Sequence, residues 1–148
     1  YYTIICGEDE YLTSFYKFFD YKIIKRYNPA MIRANKHTGL NGKFLKDAKE
    51  LLKKQDYVQA SEKLWGATAQ IIKAIAFKRG KTLRSHEAIS RYIVELSKEI
   101  NDKSILTYFS VANGLHQNFY EDWLAPEILI EGAKDIEKLI KKLKPLTE

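Results

Sequence analysis

Residues 57–78, YVQASEKLWGATAQIIKAIAFK, constrain the fold more than any other stretch of the 148-residue chain. Ala60, Leu64, Ala67, Thr68, Ile71, Ile75 and Ala76 recur at three- and four-residue intervals, and Trp65, Ala69 and Ile72 widen the stripe. A helix apolar around so much of its circumference has to be enclosed, at the centre of a bundle or against a second copy of the chain. Its ends are marked. Asp56 with Gln59 forms a cap-x-x-Gln start, and Gly80 supplies the C-terminal stop.

The flanking segments read as partners for that helix. NGKFLKDAKELLKKQ places Phe44, Leu45, Ala48, Leu51 and Leu52 on one stripe. The turn into Asp56 is so short that these two helices are antiparallel neighbours. Ser85 is placed to cap a third helix, His86 to Ile100, with Ile89, Tyr92 or Ile93, Leu96 and Ile100 inward. A fourth spans Lys103 to about Tyr120, with Ile105, Tyr108 or Phe109, Ala112, Leu115 and Phe119 inward. Pro126 suits the first position of a fifth, whose stripe reads Ile128, Ile130, Ala133, Ile136, Leu139, Ile140 and Leu143. The expected fold class is all-α: an antiparallel up-and-down bundle of four to five helices over residues 41–148.

Residues 1–40 differ. They hold more than half of the tyrosines, and YLTSFYKFFDYKIIKRYNP sets Leu12, Phe15 or Tyr16, Phe19, Ile23 and Tyr27 at helical spacing. Two short strands around Asp20 are the alternative, because aromatic and β-branched residues favour sheets. Asn28-Pro29 is expected to end this element. ANKHTGLNG, residues 34–42, reads as a polar loop and as the boundary of the bundle. The first forty residues are expected to be an aromatic extension that docks on the bundle or on a partner.

A single cysteine, Cys6, excludes an internal disulfide and a cysteine-based zinc site, and three scattered histidines predict no metal centre. No phosphate-loop, dinucleotide or HExxH motif is present, and no cofactor is expected. No apolar run approaches a membrane span, and YYTIIC lacks the charged start of a signal peptide, so a cytoplasmic protein is expected.

The net charge of +6 allows an anionic partner, although a modest excess also serves solubility. The strongest local asymmetry is Lys73, Lys78, Arg79, Lys81 and Arg84, with no acid between Glu62 and Glu87. That cluster either gathers around phosphate or is a solvated face. Lys138, Lys141, Lys142 and Lys144 read as helix-end charges. Lys22, Lys25, Arg26, Arg33 and Lys36, interleaved with Tyr21 and Tyr27, suit stacking plus charge on single-stranded RNA, or an interface. Asn113, His116 and Tyr120, three and four apart, form one polar strip beside Ala112, Leu115 and Phe119. The strip either holds a phosphate or ribose at a dimer seam or is a satisfied network that fixes packing. Trp65 and Trp123 read as packing residues.

The run DYVQASEKLWGATAQIIKAIAFKRG, followed by SHEAI and ANGLHQNFYE, resembles the archaeal PaREP-type family and, through it, the HEPN helical domains. The resemblance spans about Gly42 to Leu143, and VQASEK is its most specific part. It implies a helical bundle that commonly dimerises, and relatives that cleave RNA, bind RNA or partner small nucleotidyltransferases. In ribonuclease members an arginine precedes the late-helix histidine by five to seven positions. His116 sits at that histidine, but the arginine positions hold Phe109, Ser110 and Val111. Arg79 and His86 mimic the spacing, yet Gly80 interrupts them and His86 reads as a structural residue opening its helix. The expected function is a non-catalytic, dimeric module. It binds RNA or a nucleotide through Asn113, His116 and Tyr120 and through Lys78, Arg79, Lys81 and Arg84. A protein-interaction component, antitoxin-like or a nucleotidyltransferase partner, is the alternative. A metal-independent ribonuclease using His116 is the third reading.

Overall fold

The structure, a computed structural model, describes residues 28–148. The aromatic element expected between Leu12 and Tyr27, Cys6, and the cations Lys22, Lys25 and Arg26 lie outside the described residues. Five helices pack together: α1 Pro29–Lys53, α2 Tyr57–Lys78, α3 His86–Glu99, α4 Ser104–Glu121 and α5 Pro126–Leu143. A short 3-10 turn, Lys144–Thr147, follows. The described residues form an all-helical bundle with no strand.

Helix α2 is its axis and contacts every other helix. Leu64, Ile71, Ile72 and Ile75 are almost fully enclosed, as the width of its apolar face requires. Asp56 accepts from the Gln59 amide at 3.3 Å. Gly80, at φ +75°, lets the Lys81 amide return to the Ala76 carbonyl at 2.8 Å.

Helix α1 corrects the boundary reading. The polar tract 34–42 is helical, and Asn28-Pro29 starts this helix. The Asn28 side chain accepts from the Ala30 amide at 3.0 Å, and Pro29 sits in the first turn. Local propensity in this tract is poor, but α2 supplies what it lacks. Asn41 Nδ2 donates to the Ala67 carbonyl at 2.7 Å. His37 bonds the Gln70 side-chain amide oxygen and stacks on Phe77 at 4.8 Å. Ala34, Asn41 and Ala48, seven apart, form the buried line against α2.

The connectivity departs once from strict up-and-down order. Arg79 pairs with Glu99 and Lys81 with Glu95, while His86 stacks on Trp65. The loop from Arg79 to Ser85 therefore runs back along the bundle, and α3 lies parallel to α2. Helix α4 is antiparallel to α2, since Ser61 meets Asn118 and Trp65 meets Phe109. Helix α5 is antiparallel to α4, with Val111 3.1 Å from where a Gly132 side chain would begin.

The stripe on α5 also shifts from its expected register. Leu129, Ala133, Ile136, Leu139, Ile140 and Leu143 are buried, whereas Ile128 and Ile130 are 59% and 40% exposed. The buried set follows strict i, i+3/i+4 spacing, which Ile128 and Ile130 together do not. Among the described residues no helix is long and apolar enough to cross a membrane.

Candidate functional site

Three helices converge on an aromatic and titratable cluster. Helix α2 presents Glu62 and Trp65 one turn apart, α3 contributes His86 from its first turn, and α4 contributes His116 and Tyr120. The His86 and Trp65 rings are stacked, 4.5 Å apart and 5° from parallel. His116 lies 4.9 Å from Trp65 and 4.8 Å from His86. Tyr120 meets His116 edge-on at 5.4 Å and is 72% exposed. Trp65 is buried beneath this layer, so the histidines and Tyr120 carry the contact with solvent.

His116 Nδ1 and Glu62 Oε2 are 2.9 Å apart. A carboxylate only accepts, so Nδ1 carries the proton and donates. In the neutral ring this leaves Nε2 as an acceptor, and Glu62 fixes the plane of the imidazole. The His86 pKa is lowered below its ordinary value, first by burial against the stack and then by His116 and Lys73, with Glu62 opposing them. The cluster can stack a planar ring, accept at Nε2 and accept at the second Glu62 oxygen. Among the described residues no group of three or more histidine, cysteine, aspartate or glutamate side chains is arranged to hold a metal ion.

The sequence-predicted residues divide. His116 and Tyr120 are brought together. Asn113 shares their flank of α4 and makes no side-chain hydrogen bond to the described residues. Arg84 is exposed, two residues before His86, so the loop delivers it to the site's edge. Lys78, Arg79 and Lys81 sit at the opposite end of the returning loop. Arg79 is held by Glu99 through bonds of 2.6 and 2.8 Å, which raises its pKa. Lys81 is 3.0 Å from Glu95 and lies over the Tyr92 ring at 5.1 Å. Two cations of the acid-free interval, Arg79 and Lys81, are therefore answered by carboxylates from α3, and the Arg79–His86 spacing has no counterpart in space.

Sequence reasoning missed Glu62 and His86 as site residues. Glu62 carried a usable signal, since it precedes Trp65 by three positions on one helical flank. His86 carried none, because only the returning loop brings it to His116. Asn118 was also missed, and its role is architectural. It is 1% exposed, donates to Ser61 Oγ at 2.9 Å and accepts from the amides of Trp123 and Leu124 at 2.9 and 2.8 Å.

No curated protein matches the chain. A family model described as the archaeal PaREP1/PaREP8 family matches residues 36–140, more than half of the chain.

Proposed function

The chain belongs to the archaeal PaREP1/PaREP8 family, and on that premise we propose that it is a non-catalytic, HEPN-like cytoplasmic module that binds RNA or a nucleotide as a dimer. The observation that carries this reading is the Trp65–His86–His116 stack with Glu62 behind it. A base lies on the imidazole faces, where stacking on aromatic rings contributes about 1–3 kcal/mol per base. Its phosphate reaches toward Arg84, Lys73 and the amide end of α3, where backbone N–H groups and the helix dipole favour an anion. The arginine that precedes the late-helix histidine in the ribonuclease relatives has no equivalent at Phe109, Ser110 or Val111, which supports binding over cleavage.

The test is retention of labelled single-stranded RNA at low and high salt, for the wild type and for His116→Ala and His86→Ala. Salt-sensitive retention without cleavage, weakened in both variants while they stay folded, is the expected result. Cleavage abolished by His116→Ala would make the protein a ribonuclease, and absence of retention would end the nucleic-acid reading.

A second reading has its own observation. Tyr120, Trp123 and Ile128 are 72%, 57% and 59% exposed around the α4–α5 turn. Beside them a groove of about 420 Å³ has an apolar floor of Val111 and Ile128 and an acidic rim of Glu127, Glu131 and Asp135. Exposed apolar surface with a polar rim suits a protein partner, including a second copy.

A further inference from the structure

A second groove lies on the other flank of α5. It has a volume of about 520 Å³, with Leu45 of α1 and Ile140 of α5 at its base. Lys134, Lys138, Lys141 and Lys144 line it, with Glu137 as its single acid. Glu137 is itself 3.2 Å from Lys49 of α1. Lys134 and Lys138 make same-helix contacts with Glu131 and Asp135 at 2.6 and 3.1 Å. Those acids rim the opposite groove, and Glu137 is the one acid on the lysines' own side. Lys141 and Lys144 have no ion-pair partner among the described residues.

Helix-end charge accounts for the last turn of α5, because the dipole effect fades within one turn. It does not account for Lys134 and Lys138, which lie about 2.5 and 1.4 turns before the end of α5. An amphipathic helix explains a polar flank, but not one that carries four lysines against a single acid, Glu137, which is itself bridged to Lys49 of α1. The geometry is a row. At 1.5 Å rise per residue, Lys134 to Lys144 spans about 15 Å, with neighbours about 4–6 Å apart along the axis. No buried polar group converges on one point, so the row does not suit one compact anion. It suits a linear chain of anions, which Lys141 and Lys144 meet directly and Lys134 and Lys138 reach by leaving Glu131 and Asp135.

We propose that the α1–α5 groove is a track for a linear phosphate polyanion, contacted by Lys134, Lys138, Lys141 and Lys144. Where that polyanion is the backbone of single-stranded RNA, the inference rests on the function proposed above. Inorganic polyphosphate has the same chemistry without a base.

The experiment measures affinity for single-stranded RNA and for inorganic polyphosphate across a salt series. It uses the full chain, Lys141→Ala/Lys144→Ala, the quadruple variant that adds Lys134→Ala and Lys138→Ala, and Arg79→Ala/Lys81→Ala. Each lost phosphate contact lowers the magnitude of the log–log salt slope by about 0.7 for a single strand. The double α5 variant should lose about 1.4 from the slope and the quadruple about twice that. The Arg79→Ala/Lys81→Ala variant should lose little. RNA and polyphosphate both responding supports the track. Polyphosphate alone responding supports the track and removes RNA from it. An unchanged slope in the quadruple variant overturns the track even if RNA binds through His116. Equal competition by polyglutamate also overturns it, since any polyanion would then serve. If neither RNA nor polyphosphate binds the wild type, track and RNA binding fail together; if polyphosphate binds through the row and RNA does not, only the RNA reading fails.

Discussion

At one end of the bundle, Arg79 and Lys81 direct their charges into Glu99 and Glu95; along α5, Lys141 and Lys144 meet no carboxylate among the described residues. In the sequence the first group looks the stronger, because its cations follow one another without an acid. In space it is the weaker, because α3 runs parallel to α2 and returns two glutamates to it. The second group reads as helix-end charge, yet the one acid beside it, Glu137, is taken up by Lys49 of α1, and Glu131 and Asp135 lie on the opposite flank. Electrostatic character thus depends on which helix packs beside a charge, and spacing along the chain does not supply that. The aromatic cluster adds a third kind of surface, where the groups that would meet a ligand also hold helices together.

That contrast predicts where a substitution costs stability. The largest effect is expected for Trp65→Ala. Trp65 is 6% exposed and touches His86, Phe109 and His116. Losing it should destabilise the protein by about 3–5 kcal/mol, as for other large buried aromatics. Urea unfolding followed by circular dichroism measures this; a loss below about 1 kcal/mol would mean that the stack does not join α2, α3 and α4.

Asn118→Ala comes next. It leaves the amides of Trp123 and Leu124 without their acceptor, while Ser61 keeps its bond to the Tyr57 carbonyl, at a cost of about 1–3 kcal/mol. Asn118→Asp keeps an acceptor for both amides and should recover part of the loss. Equal losses for the two variants would show that the α4–α5 turn does not depend on that acceptor.

The helical periods of α2 to α5, the Asp56 cap, the Gly80 stop and most core residues were legible because they depend on neighbours three and four positions away. Failures came where tertiary contacts overrode local signals. Residues 34–42 look like a loop because asparagine, threonine and glycine are poor helix formers, yet Asn41 and His37 spend their polar groups on α2. His116 and Tyr120 were legible as one strip. The partnership with His86 and Glu62 was not, because it spans three helices and depends on a loop that doubles back.

A pH titration sharpens the difference between the packed cluster and the lysine row. The folded pKa of His86 lies below its ordinary value, so the unfolded chain binds a proton more readily. The stabilisation is complete above the unfolded value, about 6.5, and is lost as pH falls from there through the depressed folded value. His86→Gln should flatten the fall in melting temperature over that interval, whereas Lys141→Ala/Lys144→Ala should leave it unchanged. A wild-type melting temperature that stays level from pH 7 to 5.5 would show that the stack does not resist protonation. The groups facing His86 are His116, Glu62 and Lys73, so Glu62→Gln should steepen the fall.

The smallest effect bears most directly on the two basic regions. Arg79 and Glu99 are 36% and 45% exposed, so their bidentate pair should contribute only about 0.3–1 kcal/mol in a double-mutant cycle. Its effect on charge is larger than its effect on stability, because Glu99 holds a negative group against the loop. Glu99→Gln with Glu95→Gln should therefore leave melting almost unchanged and turn the loop into a free cationic patch that binds polyphosphate more tightly at low salt. The same measurement on Lys141→Ala/Lys144→Ala should move the other way. If freeing the loop gains no affinity, the α3 carboxylates are not what silences it, and exposure of the individual cations would have to explain the difference between the two regions.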